Sequence, residues 1–214
     1  IMIYSLKDSK GVPLQYKLNE IMNIQKGFFI ELGANDGIKQ SNTAYFEKEL
    51  NWSGILIEPS KIGYEKCILN RPKSICLNYA CVSNDFTEEF VKGDFKDNAT
   101  MSSINGMRLN NKNDLVQVKA LSLENILNQY KLDQIDFLSL DVEGYELEVL
   151  KGLNLSKYRP KYMLIEIYQK DYNNIVNFLN INSYKLHSNL TNYNKKDNPI
   201  WDGTHNDYLF IDIK

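Results

Sequence analysis

Several absences in the amino-acid sequence narrow the classes of protein to which it can belong. No apolar run reaches about eighteen residues, the length that marks a membrane-spanning helix, and residues 1–8 lack the basic and apolar regions of a secretory signal. Lys and Arg (25) do not outnumber Asp and Glu (27), and the formal charge is −2. Non-specific binding to nucleic acid depends on a surplus of positive charge. We therefore expect no membrane span and no nucleic-acid partner.

Cysteine is also scarce. Cys67, Cys76 and Cys81 are odd in number and lack the spacing of metal ligands. They are predicted to be reduced residues that pack in the core, which indicates a cytoplasmic protein. The chain starts with Ile1 ahead of Met2, which indicates either a trimmed start or a piece of a longer polypeptide.

The size of the chain fits one domain. Of its 214 residues, 43% are apolar, which is enough for a sizeable core. We expect the domain to span residues 27–214, after an N-terminal arm over residues 1–26. Within the arm, Leu14, Leu18 and Met22 have the spacing of one helix face, and this helix is expected to cap the sheet.

The strongest pattern is an apolar run, Phe28–Leu32, that ends in a turn containing Gly33 and Gly37 and leads into a helix. It predicts a buried parallel strand, a glycine-containing loop and a helix N-terminus. Because glycine has no Cβ, such a loop can adopt unusual dihedral angles and approach a ligand closely. The pattern also fits a plain strand-to-helix turn in any α/β protein.

The composition of this loop excludes two common phosphate-binding motifs. No Lys followed by Ser or Thr comes after Gly37, as a P-loop requires, and Asn35 stands where a dinucleotide fingerprint has its middle glycine. Glu31 and Asp36 also put carboxylates beside the loop, which disfavours a pyrophosphate. A cationic or zwitterionic nucleoside such as S-adenosylmethionine (SAM) is a better match, because its ammonium, sulfonium and ribose hydroxyls suit carboxylate and amide partners.

A second buried strand, Gly54–Ile57, ends in Glu58 directly before Pro59. Glu58 follows the glycine loop by about 20 residues, the spacing at which the acid that ends a second strand reaches ribose hydroxyls. The alternative is an acid that caps a helix or faces solvent. At the far end of a third strand, over residues 74–83, Ala80 would lie beside the adenine of a bound nucleoside.

Strand and helix patterns continue to alternate along the chain. A polar segment over residues 84–113 predicts either a functional loop or a solvated excursion or hairpin. Further strands are predicted at residues 115–120, 135–140, 161–167, 183–187 and 207–211. This order predicts an α/β fold of the Rossmann-like type, with a seven-stranded, mostly parallel sheet, helices on both faces and an antiparallel C-terminal hairpin.

Acidic side chains recur where the later strands end. Asp141 and Glu143 follow one predicted strand, Glu166 lies near the end of the next, and a loop containing His205 can return to the same edge. An unactivated hydroxyl is a poor nucleophile and requires a carboxylate or imidazole base, or a divalent ion. Asp141 is the predicted base or metal ligand, Glu166 the second catalytic residue and His205 the third. Asp141 and Glu166 are the predicted ligands of Mg²⁺ or Mn²⁺, whereas Glu143 fits a helix cap equally well.

Four segments together resemble the FkbM family of methyltransferases: residues 29–37, 41–43, 52–59 and 135–152. The resemblance extends over about residues 27–213 and implies a SAM-dependent O-methyltransferase that acts on a hydroxyl of a sugar or glycan end. The cofactor residues that it implies are Glu31, Gly33, Asn35, Asp36, Gly37, Ser41 and Asn42 around the loop, Glu58 at the ribose, and Asp141 beside the sulfonium. It leaves the acceptor open, either a small molecule or a glycan, and it favours glycosyltransferase domains as neighbours or partners.

Other functions stay open at this point. An NAD-dependent sugar-modifying enzyme also has a strand, a glycine loop and an acid after the second strand, but it would have a three-glycine turn and a Tyr-x-x-x-Lys pair. Tyr64 and Lys66, like Tyr168 and Lys170, have the wrong spacing. A degenerate SAM-binding module without turnover is a further alternative. A nucleic-acid methyltransferase would carry an Asn/Asp-Pro-Pro-aromatic turn where this sequence has Asp-Val-Glu-Gly.

Overall fold

The computed structural model describes residues 2–97, 100–108, 110, 113–132 and 134–214. Within these residues the strands are β1 (Phe28–Leu32), β2 (Ser53–Ile57), β3 (Ile75–Leu77), β4 (Ala80–Val82), β5 (Phe90–Gly93), β6 (Val116–Ser122), β7 (Phe137–Leu140), β8 (Tyr162–Tyr168), β9 (Tyr184–Asn189) and β10 (His205–Asp212). The helices are α1 (Leu14–Met22), α2 (Ala44–Leu50), α3 (Lys61–Asn70), α4 (Leu123–Leu127), α5 (Glu146–Lys151) and α6 (Tyr172–Ile181). Across the described ranges, none of the helices combines the length and the hydrophobicity that a membrane crossing requires.

The main sheet has seven strands in the order β3-β2-β1-β7-β8-β10-β9. The first five of these run parallel, whereas β10 is antiparallel to both β8 and β9. The predicted seven-stranded, mostly parallel sheet with an antiparallel C-terminal pair is confirmed.

Helices cover both faces of this sheet, as predicted. Successive residues of a strand point to opposite faces, so Phe29 and Ile30 of β1 enter two different apolar cores. Phe29 packs in one core with side chains of α1 and α2, among them Leu18 and Phe46. Ile30 lies in the other core, with side chains of α4, α5 and α6. Because β1 is buried on both faces, its sequence is almost continuously apolar.

The structure corrects the third and fourth predicted strands. Residues 74–83 form two strands, β3 and β4, and β4 belongs to a separate three-stranded sheet in the order β4-β6-β5. The predicted strand at residues 115–120 lies in β6, which pairs parallel with β4 and antiparallel with β5 and is outside the main sheet. The break follows from Asn78, whose side-chain amide donates to the carbonyl oxygens of Glu58 and Pro59 at 2.9 Å each and ties this part of the chain to the end of β2.

The strand register determines which residues meet at the carboxyl edge of the main sheet. Leu32, the last residue of β1, is in register with Ile57 of β2 and Leu140 of β7. Each of these strands ends at that position. The residues that follow the three strands therefore emerge side by side at one edge, where open α/β sheets bind their ligands.

Candidate functional site

A pocket opens where β1, β2 and β7 end. Its wall includes six residues expected from the sequence to bind a cofactor: Gly33, Asn35, Ser41, Glu58, Ala80 and Asp141. It also includes Tyr79, Phe95, Thr100, Ser102, Ile104, Glu143 and Tyr145. The other expected cofactor residues, Glu31, Asp36, Gly37 and Asn42, lie behind this wall among the described residues and support it.

Gly33 permits the close approach of two strand ends. Its φ is +76°, and a Cβ built on it would lie 1.8 Å from the backbone oxygen of Asp141. A real Cβ cannot occupy that space. Glycine at this position therefore lets the loop after β1 lie directly against the loop after β7, which brings Asp141 to the pocket.

Glu58 anchors the glycine loop. Its Oε2 accepts a hydrogen bond from the backbone N–H of Asn35 at 2.7 Å, and its Oε1 accepts one from the backbone N–H of Ser60 at 2.8 Å. The residue is only 7% exposed. Burial raises the pKa of the Glu58 carboxyl to about 7, although the two backbone N–H groups oppose this shift. Asn35 has a φ of +52°, which orients its N–H toward Glu58.

Glu31 holds the turn that follows the loop. Its carboxylate accepts hydrogen bonds from the hydroxyl of Ser41 at 2.8 Å, the backbone N–H of Asn42 at 2.9 Å and the hydroxyl of Thr43 at 2.5 Å. Arg71 lies 3.7 Å away and forms a closer ion pair with Glu47 at 2.8 Å. Glu31 is buried, and burial raises the pKa of its carboxyl. The structure thus assigns Glu31 a contact with the protein backbone and hydroxyls instead of a place in the pocket wall.

Asp36 and Gly37 shape the loop from behind. One carboxylate oxygen of Asp36 accepts hydrogen bonds from the backbone N–H groups of Ile38 and Lys39, at 2.9 and 2.7 Å. Gly37 has a φ of +77°, and its carbonyl oxygen accepts a hydrogen bond from Nη1 of Arg71 at 2.9 Å. Both residues fix the loop conformation on which the position of Asn35 depends.

Three carboxylates converge beside the pocket. Asp141, Glu143 and Glu166 each offer an oxygen, and these oxygens lie within 4.8 Å of one another. Glu166 belongs to β8, where it is opposite Asp207 of β10, and its Oε2 is buried without a hydrogen-bond donor. The structure therefore brings Asp141 and Glu166 together, as expected from the sequence, and adds Glu143.

Burial and mutual repulsion favour carboxyl groups in this acidic cluster that are protonated or that share a proton. Burial, and then the charge of Glu143, raise the pKa of Asp141 well above its ordinary value. Burial, and then the charge of Asp141, raise the pKa of Glu166 in the same direction. His205 lies close, with its Nε2 3.3 Å from Oε1 of Glu166. Burial lowers the pKa of His205, so its ring is mostly neutral at pH 7. Neither His205 nor Glu166 is among the residues that line the pocket.

Glu143 connects the cluster to a second cleft. Its Oε2 accepts hydrogen bonds from the hydroxyl of Tyr168 at 2.6 Å and from Nε of Arg108 at 3.2 Å. Arg108 also pairs with Asp202 at 2.6 Å, and its guanidinium lies 5.3 Å above the centre of the Tyr168 ring. The cleft is lined by Met107, Arg108, Glu143, Gly144, Tyr168, Gln169, Lys170, Gly203 and Thr204. Glu143 therefore belongs to the walls of both the pocket and the cleft.

Glu146 performs the backbone contacts that Glu143 would make as a helix cap. Its Oε1 accepts hydrogen bonds from the backbone N–H groups of Val142 and Gly144, at 3.0 and 3.1 Å. Glu143 itself has a φ of +58°, which turns its side chain toward Tyr168 and Arg108. Because Glu146 holds the turn, the carboxylate of Glu143 is available to the pocket and the cleft.

Three residues that support or line the site were not predicted from the sequence: Arg71, Arg108 and Tyr168. Arg71 precedes Pro72, and this pair predicts only the end of a helix. Arg108 belongs to the polar segment over residues 84–113, where no pattern identifies its partners. Tyr168 ends the strand of Glu166, so its place two residues after a candidate acid is a signal: alternate residues of a strand share a face.

Comparison with known proteins agrees with this geometry. A model of the methyltransferase FkbM domain matches residues 31–186, whereas no curated protein sequence matches significantly. Among solved structures, a precorrin-6y C5,15-methyltransferase from Geobacter metallireducens superposes with a TM-score of 0.50 at 10% identity, over 97% of this chain and 92% of that one. The METTL16 methyltransferase domain gives 0.50 at 12% identity, over 94% and 67% of the two chains.

A proposed RNA methyltransferase from Pyrococcus horikoshii has the same TM-score, 0.50, at 9% identity, over 94% of this chain and 80% of that one. At such low identity these likenesses show the methyltransferase fold alone. The family match is more specific, because it covers the glycine loop, Glu58, the acidic cluster and most of the main sheet. The chain belongs to the FkbM methyltransferase family, within the SAM-dependent class.

Proposed function

We propose that this protein is an O-methyltransferase that transfers the methyl group of SAM to a hydroxyl of a sugar or of a glycan end. The observation that carries the proposal is that Glu143 lies in the walls of both the pocket and the cleft. A cofactor in the pocket and an acceptor in the cleft would meet at the acidic cluster. This is the arrangement that an in-line displacement between two bound molecules requires.

The residues of the pocket fit SAM chemically. Glu58 presents a buried carboxylate to which ribose hydroxyls can donate, and backbone N–H groups already hold that carboxylate in place. Tyr79 and Ala80 provide an apolar wall for the adenine. Asp141 would provide negative charge at the other end, because a sulfonium beside its carboxyl favours the ionised form. When bound, SAM supplies a methyl group that is activated by its sulfonium.

The chain would contribute orientation and a proton acceptor to the reaction. The acceptor oxygen forms the new bond to the methyl carbon while the carbon–sulfur bond breaks and leaves S-adenosylhomocysteine. The hydroxyl proton must leave as the oxygen attacks, and a carboxylate of the cluster is the group that can take it. We assign Asp141 as the acceptor of this proton, because Asp141 lies in the pocket wall and borders Glu143 and Glu166. We assign His205 no direct part in this step, because it contacts Glu166 and is not among the residues that line the pocket or the cleft.

The cleft favours a polar acceptor with several hydroxyls. Arg108, Gln169, Lys170 and Thr204 line it with hydrogen-bonding groups around the ring of Tyr168. A sugar ring presents an apolar face and hydroxyl edges, which such a lining can contact together. An RNA acceptor is less well supported, because the formal charge of the chain is −2.

Calorimetric titration with SAM, and with NAD as the control ligand, tests the cofactor first. We expect micromolar binding of SAM, no response to NAD, and loss of SAM binding in Glu58→Ala. Silence with SAM would overturn the proposal, and binding of NAD would restore the alternative of an NAD-dependent sugar-modifying enzyme.

Transfer of a labelled methyl group from SAM tests the reaction. The acceptors are free sugars, oligosaccharides and a short RNA, each with wild-type protein and Asp141→Asn. We expect label in an oligosaccharide with wild-type protein and a loss of at least about a hundredfold in Asp141→Asn, the lower range of general-base effects. Label in the RNA alone would overturn the sugar acceptor.

A further inference from the structure

The acidic cluster contains more buried negative charge than its neighbours compensate. Arg108 pairs with Glu143. In the described part of the chain, however, no Lys or Arg lies within 4.0 Å of a carboxylate oxygen of Asp141 or Glu166, and the His205 ring beside Glu166 is mostly neutral at pH 7. Asp207 adds a further buried acid whose Oδ2 has no hydrogen-bond partner. Two adjacent ionised carboxylates repel each other, and a cation bound between them removes this repulsion.

A second observation points to a ligand and not only to a cluster of acids. Glu166 is 6% exposed, and its Oε2 is buried without a donor. One carboxylate oxygen of Asp141 lies within 4.8 Å of one of Glu166, and both groups are acceptors when ionised. A buried carboxylate oxygen without a partner is costly to the fold. The oxygen therefore requires a partner that the protein does not supply: a proton, a water molecule or a metal ion.

The spacing of the three carboxylates suits a single ion. Oxygens on opposite sides of one ion lie about 4.2 Å apart for Mg²⁺ and up to about 5.2 Å for Ca²⁺, twice the metal–oxygen distance. The oxygens of Asp141, Glu143 and Glu166 lie within 4.8 Å of one another, so small side-chain adjustments bring them onto one ion. Carboxylate ligands favour Mg²⁺, Ca²⁺ and Mn²⁺ over softer metals.

We propose that Asp141, Glu143 and Glu166 bind one divalent cation of the Mg²⁺ or Mn²⁺ kind, and that the acceptor hydroxyl completes its coordination from the cleft. This inference rests on the proposed function and extends it with a metal that positions the acceptor. The bonds made and broken are those of the methyl transfer described above. With the ion bound, Asp141 acts as a ligand instead of as the proton acceptor: the ion lowers the pKa of the acceptor hydroxyl, and the hydroxyl proton passes to water in the open cleft.

Binding of Mn²⁺ alone, without SAM or acceptor, tests the site directly. The free Mn²⁺ concentration is followed by electron paramagnetic resonance while wild-type protein is titrated. The same titration is made with Glu166→Gln and with Asp141→Asn, which keep the shape of each side chain and remove its charge. The control is Glu148→Gln on α5, whose side chain is 34% exposed and pairs with Lys151 outside the cluster.

We expect one site in the wild type, more than about tenfold weaker binding in each cluster variant, and unchanged binding in the control. Far-UV circular dichroism verifies that each variant is folded, and either cluster variant alone suffices if the other is not. Absence of Mn²⁺ binding in the wild type, or equal binding in the cluster variants, would overturn the proposal in favour of a shared proton. Methyl transfer from SAM to the oligosaccharide, measured in EDTA with wild-type protein, distinguishes this result from failure of the proposed function: transfer that persists without the ion overturns the metal site alone, whereas SAM binding without transfer, with or without Mn²⁺, overturns the proposed function.

Discussion

At the scale of single residues, Glu58 makes cofactor binding depend on pH. Ribose hydroxyls donate to its carboxylate form, and the pKa of this carboxyl is raised to about 7 by burial. Binding to the ionised form alone means that affinity falls as the pH falls through 7. We expect the dissociation constant for SAM to rise about tenfold between pH 8 and pH 6, as follows from proton linkage. Titration calorimetry at a series of pH values measures this.

The matched variant for this prediction is Glu58→Gln. Glutamine cannot ionise, and its amide must turn one donor toward the N–H of Asn35 or Ser60. We expect weaker binding overall, with a flatter pH profile. A variant profile as steep as that of the wild type would assign the pH dependence to another group of the pocket wall, such as Asp141.

Arg71 is a residue on which the glycine loop depends without contributing to the pocket wall. Its guanidinium is buried, pairs with Glu47 at 2.8 Å and donates to the carbonyl of Gly37. Arg71→Met leaves buried carboxylates without a cation, and we expect it to lower the free energy of unfolding by about 3–5 kcal/mol. Urea denaturation measures this.

The control for Arg71 is Lys151→Met, which breaks the exposed ion pair with Glu148. Exposed pairs are worth about 1 kcal/mol or less. Equal effects of the two substitutions would mean that the buried network does not stabilise the loop more than a surface pair does.

At the scale of elements, the junction between β1 and β7 can be tested with two glycines. Gly33 and Gly11 both have positive φ, +76° and +83°, so alanine is strained at either position. Only at Gly33 does the added Cβ meet an atom, the carbonyl oxygen of Asp141 at 1.8 Å, whereas Gly11 has nothing within 4 Å. We expect Gly11→Ala to cost about 1–2 kcal/mol from backbone strain alone.

We expect Gly33→Ala to cost more than Gly11→Ala and to abolish SAM binding, because the strand ends must separate and carry Asp141 away from the pocket. Thermal unfolding and calorimetry measure the two effects. If Gly33→Ala binds SAM as tightly as Gly11→Ala does, the close approach of these strands is not needed for the pocket.

Strands were predictable from the sequence where their local hydrophobic pattern matches their burial in the folded sheet. β1, β2 and β7 are buried on both faces, so their apolar runs, and the acids that follow them, reveal both strand and site. The break between β3 and β4 was not predictable, because it depends on Asn78 bonding to the end of β2, a contact that no local pattern encodes. β6 has the alternation of any strand, and only its pairing with β4 and β5 places it in the separate sheet.

The same reasoning applies to the candidate site. Gly33, Glu58 and Asp141 follow strand ends and were accessible to sequence analysis, because parallel strands bring their carboxyl ends to one edge. Arg108 reaches Glu143 from a segment 35 residues away. Its contribution depends on the path of a polar loop, which periodicity does not determine.

At the scale of the whole molecule, the N-terminal arm is expected to be part of the fold and not a separable extension. Leu14, Leu18 and Met22 of α1 are 0–4% exposed and pack in the core that contains Phe29 of β1. Burying three such side chains contributes on the order of 5–9 kcal/mol. The total stability of a domain is only about 5–15 kcal/mol. The boundary predicted at residue 26 thus separates two sequence patterns, but side chains on either side of it pack in the same core.

Deletion of residues 1–26 should therefore abolish cooperative folding, although the glycine loop and the acidic cluster remain in the chain. Near-UV circular dichroism and thermal unfolding measure this. Leu18→Ala in the full chain should cost about 2–5 kcal/mol, whereas Ile181→Ala, at a residue that is 84% exposed, should cost almost nothing. A truncated chain that unfolds cooperatively and binds SAM would show that residues 27–214 form the domain alone. The core that contains Phe29 would then be closed by α2 and α3, without α1.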